Sequence, residues 1–183
     1  MSLTQPQAEL RPPTPKDGAP VFHLISRCPP LDINSMYCNL LQCTHFANTS
    51  VVAEATGNTN EELVGSISAY LIPEREDTLF IWQVAVDERA RGTGLAGNML
   101  NHILHRPVCS QVTYLETTIT ESNKASWALF ESLAKKLGTT LEKSVMFDRD
   151  IHLAGGHDTE LLARIGPFKL AQTQKHLTAQ PDT

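Results

Sequence analysis

The segment Val84-Ala85-Val86-Asp87-Glu88-Arg89-Ala90-Arg91-Gly92-Thr93-Gly94-Leu95-Ala96-Gly97 constrains this chain more than any other. An apolar run that reads as a strand enters a glycine turn, and a run with helical periodicity leaves it. Glycine accepts the positive φ of a tight turn and lets backbone come close to a ligand. The unpaired N–H groups of a helix start converge on one spot, where the helix dipole favours an anion. Arg89 and Arg91 add full charges. The pattern suits a pyrophosphate, with a tight strand-to-helix turn that holds no ligand as the alternative. No Gly-Lys-Ser/Thr follows, so it is not a nucleotide triphosphate loop. The Gly92, Gly94, Gly97 spacing follows an antiparallel meander, not the parallel unit of a dinucleotide fold.

The chain has 183 residues, 15 basic and 20 acidic side chains and a net charge of −5. That length suits one domain with its own core. The charge balance argues against a protein whose main task is to hold a nucleic-acid backbone, which needs a concentrated basic surface. No apolar run reaches the length of a membrane span. Met1 to Ala8 is polar and lacks the apolar stretch of a signal peptide. The cysteines, Cys28, Cys38, Cys43 and Cys109, form no CxxC pair and read as reduced thiols of a cytoplasmic protein. His102 and His105 lack an acidic or cysteine partner at ligand spacing, so no metal is expected.

Thr14-Pro15-Lys16-Asp17 is a helix-start signal, and the helix runs through Val21, Leu24 and Ile25. Asn34 or Ser35 caps a second helix to about Phe46, with Tyr37, Leu40, Leu41 and Thr44 sharing a face. Strands are expected at 51–55, 63–72 and 78–86, with turns at 57–60 and 73–77. A helix follows over 95–105, a strand over 112–118, and a helix over 122–137 ended by Gly138. A strand over 143–147 and a short one near 162–165 complete the series. Residues 1–9 are expected to be a disordered segment, 10–170 a single domain, and 171–183 a polar tail. This is an α/β domain built on one mixed, mostly antiparallel sheet, flanked by about four helices.

Arg89-x-x-Gly92-x-Gly94 after the strand ending Val84-Ala85-Val86-Asp87 resembles the acetyl-CoA-binding motif of the GNAT N-acetyltransferases, and the element order is similar to that fold. Asn123-x-x-Ser126-x-x-x-Phe130 resembles the family's second cofactor-contacting stretch. The segments Asp32–Tyr37, Phe80–Val86, Leu115–Asn123 and Arg164–Phe168 resemble the branch of the family that acetylates diaminobutyrate in ectoine biosynthesis. The resemblance spans about Leu10 to Phe168. It implies acetyl transfer from acetyl-CoA to the γ-amine of L-2,4-diaminobutyrate. The pantetheine arm would pair with the backbone of Val84 and Val86. The pyrophosphate would sit on Arg91, Gly92, Thr93, Gly94, Leu95 and Ala96, and Asn123, Ser126 and Phe130 would flank the cofactor. Many members protonate the departing thiolate with a tyrosine, and Phe130 stands at that position; a water, Tyr37 or unassisted departure remain open.

The attacking amine must lose a proton, and the acceptor carries two ammonium groups, so carboxylates are expected around it. Glu116, in mid-strand between Leu115 and Thr117, is the expected proton acceptor or ammonium anchor, with an outward-facing edge glutamate as the alternative. Asp32 is either an acceptor-site carboxylate or a helix-start aspartate. Trp82 and Tyr37 either wall the pocket or pack in the core. His157, after Gly155-Gly156, either closes over the pocket and moves protons or is a surface histidine. Asn34, Gln83 and Thr118 complete the expected acceptor site. Acetylation of a polyamine or aminoglycoside, and a non-catalytic acyl-CoA sensor, are the rival functions. A homodimer is implied by the resemblance alone.

Overall fold

The computed structural model describes residues 8–56 and 62–170. The expected turn at 57–60 and the polar tail at 171–183 lie outside the described residues. Seven strands form one sheet: β1 (Ala8–Arg11), β2 (Val51–Ala55), β3 (Leu63–Ile72), β4 (Arg75–Val86), β5 (Tyr114–Thr120), β6 (Leu141–Phe147) and β7 (Glu160–Ile165), in the order β1-β2-β3-β4-β5-β7-β6. Every pairing is antiparallel except β4 with β5. Four α-helices accompany them: α1 (Gly18–Ser26), α2 (Met36–His45), α3 (Leu95–Leu104) and α4 (Lys124–Lys136).

Alternation along the strands assigns the two faces of the sheet. Val51, Ala53, Ile67 and Ala69 point to the core built with α3 and α4, through Met99, Leu100, Ile103, Phe130 and Leu133. Val52, Leu63 and Ala85 point to a second, smaller core with Val21, Leu24 and Ile25 of α1 and Cys43 of α2. A sheet covered on both sides needs strands apolar on both faces, as β2 and β3 are.

Three expectations need correction. β1 begins at Ala8, so the domain boundary expected after residue 9 falls inside a strand; Arg11 ties it down by bonds to Glu54 of β2 (2.8 Å) and to Asp17 (2.9 Å). The start signal at Thr14 opens a single 3₁₀ turn, Pro15–Asp17, with the Asp17 carboxylate accepting from the Thr14 N–H at 2.6 Å, and α1 follows from Gly18. The buried face of α2 is Asn39, Gln42 and Cys43, not the apolar set around Tyr37. Asn39 Nδ2 donates to Gln42 Oε1 at 3.0 Å, so α2 turns two paired amides inward, with Asn39 Oδ1 and Gln42 Nε2 buried and unpartnered among the described residues, and apolar periodicity reads the helix from the wrong side.

Candidate active site

β4 and β5 pair from Thr78↔Tyr114 only as far as Ile81↔Thr117, and then part. Thr117 Oγ1 donates to the Ile81 carbonyl at 3.0 Å and closes the vertex. On its other edge β4 meets β3 with a register shift: Ser68 pairs with Gln83 and Ala69 with Ile81, leaving Trp82 as the extra residue of a bulge. Beyond the vertex, the β4 edge from Trp82 to Val84 and the β5 edge from Thr118 to Thr120 border an open groove of about 860 Å³. Their backbone groups on that side have no strand partner, so an amide-bearing chain can pair there as an added strand.

At the end of β4 lies the glycine turn. Gly92 has φ +75° and Gly94, the N-cap of α3, φ +80°. A Cβ at either position meets nothing within 4 Å, so backbone conformation, not space, requires glycine there. No side chain caps α3, and its first turn keeps its N–H groups for an anion. The two arginines of the turn differ. Arg89 is committed, with two bonds to Asp87 (2.9 and 3.0 Å) and an ion pair to Glu62 (2.9 Å). Asp87 also takes Arg27 at 2.8 Å, and the Arg89 hydrogen bonds hold its carboxyl far below the usual range despite burial. Arg91 donates to the Val86 carbonyl at 3.2 Å and lies beside the Cys28 thiol, and it is the cation of the turn free of a carboxylate among the described residues. Asp87 and Arg89 brace the turn, and Arg91 is left for a ligand.

The far wall of the groove is α4. Asn123 caps it, accepting from the Ser126 N–H at 3.1 Å, and Asn123, Ser126 and the buried Phe130 all line the groove. The acceptor end is assembled from three pieces: the loop before α2, the bulge of β4, and the loop between β6 and β7. Gln83 spans the first two. Its Nε2 donates to the Asp32 carbonyl at 2.8 Å, and its Oε1 accepts from Asn34 Nδ2 at 3.2 Å. These two residues therefore hold the loop that presents Asp32. Trp82 is 44% exposed on the groove, with an edge contact to Tyr70.

From the other side His157 reaches across. Its Nε2 lies 3.1 Å from Asp32 Oδ2, and its Nδ1 lies 3.0 Å from the Asp158 carbonyl and 3.7 Å from Glu160 Oε1. The Asp158 carbonyl first, and then the Asp32 carboxylate, raise its pKa above the ordinary histidine value. Asp32, His157 and Glu160, at the start of β7, form an acidic rim around an imidazole. Sequence reasoning named Asp32 and His157 and missed Glu160. The lone signal for Glu160 was a carboxylate opening a strand three residues after the histidine.

Glu116 and Tyr37 do not join this site. Glu116 is 1% exposed and does not line the groove. It lies below the vertex, paired in register with Phe80 and Arg164. Its oxygens accept from Arg75 at 2.8 and 2.9 Å, and Oε1 also takes Arg164. Burial alone would push its pKa up, but the Arg75 bonds and the charges of Arg75 and Arg164 hold it below the usual value. Such a carboxylate is neither a base nor free for an ammonium. Tyr37 is 70% exposed, outside the groove, because α2 buries its amide face instead. Among the described residues no cluster of three His, Cys, Asp or Glu can hold a metal, and no helix is long and apolar enough to cross a membrane.

Residues 19–134 match the model of the acetyltransferase (GNAT) family. The chain is 58% identical over 172 residues to the L-2,4-diaminobutyric acid acetyltransferase of Methylotuvimicrobium alcaliphilum, covering 94% of each chain. It is 48% identical to the enzyme of that name from Bordetella parapertussis, over 92% of this chain and 91% of that one. Among solved structures it is similar to the diaminobutyrate acetyltransferase of Paenibacillus lautus in complex with its substrate L-2,4-diaminobutyric acid and coenzyme A. That similarity has a TM-score of 0.83 and 35% identity, covering 91% of this chain and 98% of that one.

Proposed function

The chain belongs to the GNAT acetyltransferase family, and on that footing we propose that it transfers acetyl from acetyl-CoA to the γ-amine of L-2,4-diaminobutyrate, the acetylation step of ectoine biosynthesis. The observation that carries this is the acidic rim of Asp32, His157 and Glu160 facing the parted strands β4 and β5 across one groove. A diamine amino acid is a cation overall, and carboxylates at the rim favour it.

The fit of acetyl-CoA to these residues is good. The parted edge of β4 at Val84 offers backbone groups to the pantetheine amides, and the α3 turn with Arg91 offers N–H groups and charge to the pyrophosphate. When bound, acetyl-CoA supplies an activated thioester. The chain supplies three things to it. First, the carboxylates of Asp32 and Glu160 gather the ammonium groups. Second, His157 in its neutral form, with Nδ1–H donating to the Asp158 carbonyl and the amine standing in place of Asp32 at Nε2, takes the proton that the γ-amine sheds before attack. Third, a backbone N–H freed at the Trp82 bulge donates to the acetyl oxygen as negative charge develops on it.

Phe130 offers no proton to the sulfur. A thiol of ordinary pKa, about 8.5, is some 1.5 units from neutral pH, so departure as a free thiolate costs only about 2 kcal/mol. The free thiols Cys28, Cys38, Cys43 and Cys109 support a reducing compartment, the cytoplasm. The edge strand β6, with Val145, Met146 and Phe147 exposed, supports a homodimer. The test is thiol release from acetyl-CoA with diaminobutyrate, ornithine, lysine, spermidine and an aminoglycoside. Preference for diaminobutyrate with the product acetylated at Nγ, placed by NMR, is the expected result. Preference for spermidine or the aminoglycoside would favour the rival functions.

A further inference from the structure

A rim of carboxylates explains how two ammonium groups are held, but not how an amino acid is told from a plain diamine. Nor does it explain how the γ-nitrogen is told from the α-nitrogen. Both distinctions need a cation for the α-carboxylate. The arginines separate clearly on this point. Arg11, Arg27, Arg75, Arg89 and Arg164 are each paired to a carboxylate at 3.0 Å or closer, away from the acceptor end. Arg106 is spent on the carbonyls of residues 47, 48 and 50, and Arg91 lies on the α3 turn. Arg149 lines the groove.

Among the described residues its side chain is held by a single 3.6 Å contact to Asp158 Oδ1, between groups 55% and 69% exposed. A contact so long and so wet contributes little and yields readily to a better partner. The backbone beneath it, by contrast, is fixed. The Arg149 N–H donates to Thr159 Oγ1 at 3.1 Å, and its carbonyl accepts from the Gly155 N–H at 2.9 Å. A free guanidinium on a pinned backbone is a preorganised fork for a carboxylate. The other cation on the groove, Lys124, belongs to the first turn of α4 at the cofactor end, beside Asn123 and Ser126.

We propose that Arg149 binds the α-carboxylate of the acceptor and is the residue that selects an amino acid over a diamine and the γ-nitrogen over the α-nitrogen. This rests on the diaminobutyrate function given above. With the carboxylate anchored on Arg149, the α-nitrogen, one carbon away from it, is kept near the loop. The γ-nitrogen, two carbons further, reaches the vertex of β4 and β5.

The test compares wild type, Arg149→Ala and Arg149→Lys on 2,4-diaminobutyrate and on 1,3-diaminopropane, which keeps both amines and lacks the carboxylate. Where turnover of the diamine is slow, its inhibition constant replaces KM. Arg149→Ala is expected to raise KM for diaminobutyrate about 10-fold or more. It should leave the diamine constant and KM for acetyl-CoA within about 3-fold, and should yield some α-acetyl product by NMR. Arg149→Lys, which keeps charge but loses the fork, falls between. Equal losses on both amines, or unchanged KM and regiochemistry with diaminobutyrate, would overturn the assignment while leaving the function standing. Failure of the wild-type protein to acetylate diaminobutyrate would remove the function and this inference together.

Discussion

Replacing Glu116 by Gln separates a structural carboxylate from a catalytic one. The wild-type side chain is 1% exposed and accepts from two guanidiniums. Removing one partner from a fully buried ion pair costs about 3–5 kcal/mol, because the remaining charge is stranded. Here the stranded charges are not fully buried, since Arg75 and Arg164 side chains are 44% and 29% exposed and can turn to water. The amide also keeps one acceptor oxygen. The cost therefore falls to about 2–3 kcal/mol. For a domain of this size each kcal/mol lowers Tm by about 2–4 °C, giving a drop of roughly 4–12 °C.

The assay is thermal unfolding by circular dichroism, paired with steady-state kinetics well below Tm. KM for both substrates and kcat are expected within about 3-fold of wild type, because the vertex at Ile81 and Thr117 keeps its own hydrogen bond. The sign with pH is fixed by the lowered pKa of Glu116. Its stabilisation is full above the unfolded glutamate value and is lost as pH falls through the folded one, so the Tm gap between wild type and variant closes in acid. A hundredfold loss of kcat with an unchanged Tm would refute this reasoning and put the carboxylate on the substrate.

Gly94→Ala forces a Cβ into φ +80°, costing about 1–2 kcal/mol of stability with no steric clash, and should raise KM for acetyl-CoA with little effect on KM for the amine. Unchanged cofactor kinetics would detach the α3 turn from the pyrophosphate. Asp32→Asn should lower the His157 pKa in an NMR titration without returning it fully to the free value, since the Asp158 carbonyl still contributes. In wild type the charged Asp32–His157 contact is complete below the unperturbed histidine pKa and weakens as pH rises through the raised one. Gln83→Ala frees the loop carrying Asp32 and should raise KM for diaminobutyrate several-fold, about 1 kcal/mol for the lost hydrogen bonds, with KM for acetyl-CoA unchanged.

The cofactor half of this molecule was legible in the sequence because its demands are local. Gly92 and Gly94 occupy positive φ, and Asn123 caps α4 three residues before Ser126; each is a property of adjacent residues. The acceptor half is assembled across the chain, and there local patterns mislead. Alternation correctly sets Glu116 opposite Leu115 and Thr117. It does not tell which part of β5 stays zipped to β4, and Glu116 falls one residue on the closed side. Its cations come from 41 and 48 residues away, so in the sequence it stands as an unpaired acid, the usual sign of a catalytic one. Tyr37 misled because α2 buries two amides that pair with each other, which inverts the apolar face. The rim itself joins Asp32 to His157 over 125 residues, and Glu160 and Arg149 enter only because the β6–β7 loop folds back over the parted strands. Phosphate recognition can be written in a short motif because one helix start supplies it; recognition of a small diamine acid cannot, because opposite charges must be set at both ends of a molecule a few ångströms long. Only separate segments, each pinned by its own backbone bonds, can hold those charges apart in the right order.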